Sequence, residues 1–126
     1  MNEVYKTIWD RLDTQLTVDV FDNVPEKYNS FPYVVLDTIV ARDFDTDTEL
    51  AFNSTIQVIS YSRYKGSKEI SNLNLEIYNA LHRWVAVDSA NYSIANITQE
   101  FSTIALESDG LTRQSIQRFN LIFEKI

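Results

Sequence analysis

Cysteine is absent from the 126 residues, and glycine, proline and histidine are scarce, with 2, 2 and 1 copies. Without cysteine there are no disulfides, thiolate zinc sites or cysteine nucleophiles, a composition that fits folding in a reducing compartment. With His82 as the one histidine, no histidine cluster can hold a transition metal, and any Ser-His-Asp arrangement has to use that residue. Two glycines, Gly66 and Gly110, cannot build a phosphate-cradling loop or a dinucleotide fingerprint, which argues against nucleotide enzymes. No apolar run is long enough to cross a bilayer, and Met1 to Leu12 lacks the basic-then-apolar order of an export signal. The chain therefore reads as soluble, unexported and without a membrane partner.

What is present is apolar and acidic. Hydrophobic residues make up 44% and aromatic residues 13%, too much for a disordered tail, and a chain of this length can bury roughly two thirds of its unfolded surface in one core. A single domain over residues 1–126 is expected, with little glycine or proline for long loops. The formal charge is -7 and the isoelectric point is near 4.5, so phosphate backbones are repelled and specific DNA binding is not expected.

Val4, Ile8, Leu12 and Leu16 recur every fourth residue, with Tyr5 and Trp9 beside them, predicting a helix over residues 2–15. Thr17 to Asp22 is β-rich, and Pro25, Asn29 and Ser30 mark an irregular connection. The β-branched run from Tyr33 to Val40 predicts a strand entered at Pro32. Phe52 to Arg63 is apolar on both faces and reads as a central strand. Gly66 and Ser67 offer an N-cap to a second helix carrying Ile70, Leu73, Ile77, Leu81 and Trp84. Tyr92 to Glu107 and Leu111 to Glu124 read as a hairpin turned tightly at Asp109-Gly110. Helices set apart from a mainly antiparallel sheet, with a C-terminal β-hairpin, make an α+β fold.

The search for chemistry returns little. His82 lies beside Leu81 and Trp84 with no nucleophile elbow or glycine loop, and reads as a boundary residue of the helix rather than a general base. Asp43, Asp45, Asp47 and Glu49 are spaced like half of a calcium loop, but Thr48 stands where that loop needs glycine and Ser54 where it needs glutamate. They read as a solvated acidic loop between strands, with a charged surface facing a partner or a lumen as the functional alternative. Tyr61, Arg63, Tyr64, Lys65 and Lys68 interleave aromatic and basic groups as single-strand binders do, yet a strand running into a helix cap explains them as well. No catalytic, cofactor-binding or metal-ligating residue is assigned, and no cofactor is implied.

Three segments, in this order, resemble the siphophage tail terminator or tail completion proteins, also described as minor tail or head-tail joining proteins. The first is Phe31-Pro32-Tyr33-Val34-Val35-Leu36. The second is Ile59-Ser60-Tyr61-Ser62-Arg63, with the helix ending Ile77-Tyr78-Asn79-Ala80-Leu81. The third is Asp109-Gly110-Leu111-Thr112-Arg113, leading into Arg118-Phe119-Asn120-Leu121. Val85 to Asn91 and Asp43 to Glu49 depart from the pattern. The resemblance implies a non-enzymatic virion subunit that assembles with itself into a hexameric ring and caps the tail tube made by the major tail tube protein. It implies that the other ring face meets the head-tail connector or completion protein, and that assembly takes place in the host cytoplasm. DNA would pass through without specific binding, and an acidic rim would let it slide.

Three other readings stay open at this point. One is another neck component, such as a head completion protein. The second is a small cytoplasmic enzyme or ligand-binding domain with a pocket near His82 and Tyr78. The third is a single-strand binder using Tyr61 to Lys68.

Overall fold

The period-four stripe of the first segment forms α1 (Asn2–Gln15), which buries Ile8 and Leu12 fully and leads into the buried Leu16. This is a computed structural model of the chain, and it describes residues 2–22, 30–46, 49–84, 86–88 and 92–125. Pro25, Asn29, Asp47 and Thr48 lie outside the described residues.

The second helix, α2 (Lys68–Leu81), turns Ile70, Leu73, Ile77, Ala80 and Leu81 inward. The described residues also form six strands: β1 (Asp19–Phe21), β2 (Tyr33–Thr46), β3 (Glu49–Ser62), β4 (Ala86–Asp88), β5 (Tyr92–Leu106) and β6 (Arg113–Lys125). They form one sheet in the order β1-β2-β3-β6-β5-β4, antiparallel throughout except where β1 runs parallel to β2. The expected α+β class, the central position of β3 and the C-terminal β5–β6 hairpin are all observed.

Period-two alternation decides which sheet face the helices cover. Ile56 and Val58 of β3 and Phe119, Leu121 and Phe123 of β6 are buried and join Ile8, Leu12, Leu73 and Ile77 in one cluster. Each such aliphatic or aromatic side chain contributes about 1.5–3 kcal/mol on leaving water. The intervening residues Thr55, Gln57, Ile59, Tyr61, Gln114, Ile116, Asn120 and Ile122 face the other way and are half-buried. No described helix covers that second face.

The helices are tied to each other and to the sheet at identifiable points. Arg11 of α1 donates from Nε to the carbonyl of Ala80 at 2.9 Å and lays its guanidinium over the Trp84 ring at 5.0 Å. A cation thus sits at the C-terminus of α2, where unsatisfied carbonyls attract positive charge. The Tyr5 hydroxyl donates to the carbonyl of Leu36 at 2.9 Å, next to the register shift between Leu36 and Ile39 in β2.

Several elements differ from the sequence expectation. α2 stops at Leu81, and Arg83 takes a left-handed conformation (φ 61°), so Trp84 lies beyond the helix rather than in it. Ser67 occupies the N-cap position, but its side chain makes no capping hydrogen bond. β2 runs on to Thr46 and β3 starts at Glu49, so Asp43, Asp45 and Glu49 of the expected acidic loop are strand residues. The pairing of Asp43 with Phe52 and of Asp45 with Leu50 overrides the poor strand propensity of aspartate. The short strand β4 was not anticipated. Asp109-Gly110 is not a two-residue turn: Leu106 pairs with Arg113, and the loop between them is closed by Glu107 N–H on the Thr112 carbonyl at 2.8 Å.

Candidate interaction surface

The ladder register brings residues from all three sequence segments singled out above to one end of the sheet. Tyr33, at the start of β2, is opposite Tyr61 near the end of β3, and Tyr61 is opposite Gln114, one residue into β6. Phe31 and Pro32 precede β2 through a cis peptide bond. Arg63 follows β3, and Asp109 and Gly110 lie in the β5–β6 loop. Leu81 lies elsewhere, fully buried at the end of α2, and Asp43, Asp45 and Glu49 lie at the opposite end of the sheet. Arg113 belongs to the Tyr33–Tyr61 end through its pairing with Ser62.

These residues hold one another. The rings of Phe31 and Tyr33 are 5.1 Å apart, Tyr33 stacks on Tyr61 at 5.0 Å, and Phe21 meets Tyr33 edge-on at 6.1 Å. Arg63 places its guanidinium 4.3 Å from the centre of the Phe31 ring and donates from Nε to Thr112 Oγ1 at 3.1 Å. That hydroxyl in turn donates to Asp109 Oδ2 at 2.7 Å, while Asp109 Oδ1 accepts the backbone N–H groups of Leu111 and Thr112, each at 2.8 Å. Gln114 Nε2 donates to the Tyr61 hydroxyl at 3.3 Å. A chain of contacts therefore runs from the Phe-Pro-Tyr segment to the Asp-Gly loop. Sequence spacing could not show this, because the segments meet only through strand pairing.

The electrostatics follow from the contacts. Backbone N–H groups of Thr112 and Leu111, then the Thr112 hydroxyl, hold the Asp109 carboxyl down at about 2, against an opposing contribution from desolvation and with the Arg63 charge adding last. Burial first, then the neighbouring Tyr61 and Glu107, raises the Tyr33 phenol, with Arg63 opposing. Exposed apolar groups stand beside the charged ones at this end: Leu111 is 65% exposed, with Tyr64 and Leu106 each 52% exposed.

Beside the cluster, an open cleft of about 380 Å³ lies between Pro32, the Thr17-Val18 link and α2, lined also by Tyr64, Lys68 and Glu69. Glu69 is engaged at its edge, accepting the Ser62 hydroxyl at 2.6 Å. The interleaved stretch Tyr61 to Lys68 is not an array of free stacking platforms, since Tyr61 is stacked on Tyr33 and Arg63 on Phe31. Tyr64, Lys65 and Lys68 are exposed. His82 stacks on Tyr78 at 4.4 Å, and its Nδ1 accepts the Gln99 backbone N–H at 3.3 Å, which ties that ring nitrogen to the edge of β5. Among the described residues, no group of three His, Asp or Glu could hold a metal ion, and no helix is long and apolar enough to cross a membrane.

Among the described residues the chain is thus a two-layer α+β subunit with one sheet face uncovered by helices and a polar-aromatic cluster bonded within itself at one end of the sheet. The family model for "Tail completion protein gp17" matches residues 11–124, and the chain belongs to that family. The resemblance carried by the three segments thus agrees with the match. A chain from the virion of a native gene transfer agent (GTA) particle has the same fold, with a TM-score of 0.85 over 96% of this chain and 94% of that one at 14% identity. No curated protein matches the sequence.

Proposed function

We propose that this tail completion protein closes into a hexameric ring on the end of the tail tube, stops tube polymerisation and offers its other face to the head-tail connector or completion protein. The family match over residues 11–124 carries the reading, and the shared fold of a chain in the GTA virion is consistent with a place in a particle. In this reading residues 1–126 act as one domain, the subunit assembles in the host cytoplasm, and it ends in the virion. It is a structural part rather than a catalyst, and the commitment of His82 to a backbone N–H favours this over the enzyme reading.

A ring needs a contact between unlike surfaces whose rotation closes, and termination follows if the outward face cannot receive another tube subunit. The acidic residues Asp43, Asp45, Asp47 and Glu49 are assigned to the channel rim or to a partner. There, negative charge keeps DNA from adhering as it passes. Cryo-electron microscopy of particles carrying a bulky C-terminal tag tests the placement. Extra density at the head-proximal end of the tube, repeated with the symmetry of a ring, is expected. Extra density on the tail fibres or inside the head, or a single copy per particle, contradicts it.

A further inference from the structure

The sheet is only partly finished along its two edges. β1 covers β2 over Tyr33 to Val35 alone, and β4 covers β5 over Tyr92 to Ile94 alone. Just past β4 the edge of β5 is still satisfied, since Arg83 N–H donates to the Ile97 carbonyl at 2.7 Å and Gln99 N–H to His82. From Ser102 to Leu106, no described group pairs with the outer side of the strand. Every residue there is exposed, Ile104 by 39% and Leu106 by 52%, and none is charged. Edge strands in single-chain proteins are normally blunted by charge, proline or a covering loop, because an open uncharged edge recruits another strand. On the far side of the sheet, the outer edge of β2 from Ile39 to Thr46 likewise has no described strand beside it.

We propose that Ser102 to Leu106 of β5 pairs with Ile39 to Thr46 of β2 in a second copy of this chain, so that one sheet continues from subunit to subunit. This deepens the ring reading above and rests on it. The directions are compatible: β2 runs away from the Tyr33–Tyr61 end of the sheet and β5 runs toward it, so copies in the same orientation meet antiparallel.

The covered segments are also placed to guide the joint. β1 sits at the Tyr33 end of one edge and β4 at the opposite end of the other, so the two free segments lie diagonally across the sheet. They meet only if the neighbour slides along the strand axis. β1 of one copy and β4 of the other then bracket the shared ladder and limit its register. A constant slide at each joint tilts the strands to the assembly axis, the geometry a sheet needs in order to close. The contact joins unlike edges, so it repeats from copy to copy, whereas a pairing of β5 with β5 would end at a dimer. Leu75, 58% exposed, adds apolar surface nearby. It adjoins Asn74, which accepts the Ser115 hydroxyl and receives Gln117 Nε2 on its carbonyl, and Ser115 is the β6 partner of Ile104.

The absence of native cysteine makes the test direct. Thr103→Cys is combined in turn with Val40→Cys, Ala41→Cys and Arg42→Cys, and particles assembled from each pair are oxidised. At least one pair is expected to give a ladder of covalent oligomers that Thr103→Cys alone does not give. A covalent dimer from Thr103→Cys alone, or no crosslink from any pair in particles that contain a ring of this subunit, overturns the edge pairing while leaving the ring intact. A single copy per particle overturns the ring itself, and the pairing with it. As a second measurement, Ile104→Lys should leave the isolated subunit folded by circular dichroism yet reduce its incorporation into particles at least tenfold. Incorporation at the wild-type level contradicts the proposal.

Discussion

Asp109 holds Thr112 twice, through the backbone N–H at 2.8 Å and the side-chain hydroxyl at 2.7 Å, and that hydroxyl also accepts Arg63. One exposed carboxylate thereby orders the β5–β6 loop and connects it to the end of β3.

The pH dependence of this loop follows. With its folded value near 2 against an ordinary 3.8, Asp109 contributes stability above about pH 4 that is lost as the pH falls through about 2. Asp109→Asn is expected to lower the thermal midpoint at pH 6, and its difference from wild type should fade between pH 4 and pH 2. A constant difference across that window contradicts the assignment.

Arg63 is expected to resist conservative replacement. Arg63→Ala loses the contact with Phe31 and the bond to Thr112, at a cost of about 1 kcal/mol in chemical denaturation. Arg63→Lys recovers little, because an ammonium cannot spread over the ring and also donate from the Nε position. Full recovery by lysine points to simple charge attraction instead.

Ser54 and Ser60 bury their hydroxyls on the helix-covered face with no described partner. Removing an unsatisfied buried hydroxyl relieves its desolvation, so Ser60→Ala is expected to leave stability unchanged or raise it by up to about 1 kcal/mol. A loss larger than that shows that the hydroxyl is bonded. Phe119→Ala, at a fully buried position of the same layer, should instead cost about 3–5 kcal/mol.

Replacing Asp43, Asp45 and Asp47 together with asparagine tests the proposed rim charge. Slower or incomplete DNA ejection from otherwise normal particles is expected, and unchanged ejection argues against a channel position.

Much of the fold was legible because burial imposes periods. The stripe containing Ile8, Leu12 and Leu16, and that containing Ile70, Leu73 and Ile77, each had one helical solution, and the alternation around Ile56 and Phe119 had one strand solution. The extensions of β2 and β3 were hidden because aspartates have poor strand propensity and only their partners across the ladder hold them extended. β4 carried too few residues to show a period. The Asp-Gly pair signalled a turn correctly but not its width, which the side chain of Asp109 sets. The interaction surface was half legible: its three segments were visible one by one, but their meeting depended on register, and the free edge of β5 could be seen only once β4 was found to be so short.

Electron microscopy of tails from a lysate in which this gene is disrupted tests the capping role most directly. Tails of abnormal or unlimited length, or finished tails that fail to join heads, are the predicted result. Normal infectious particles of normal tail length would contradict it.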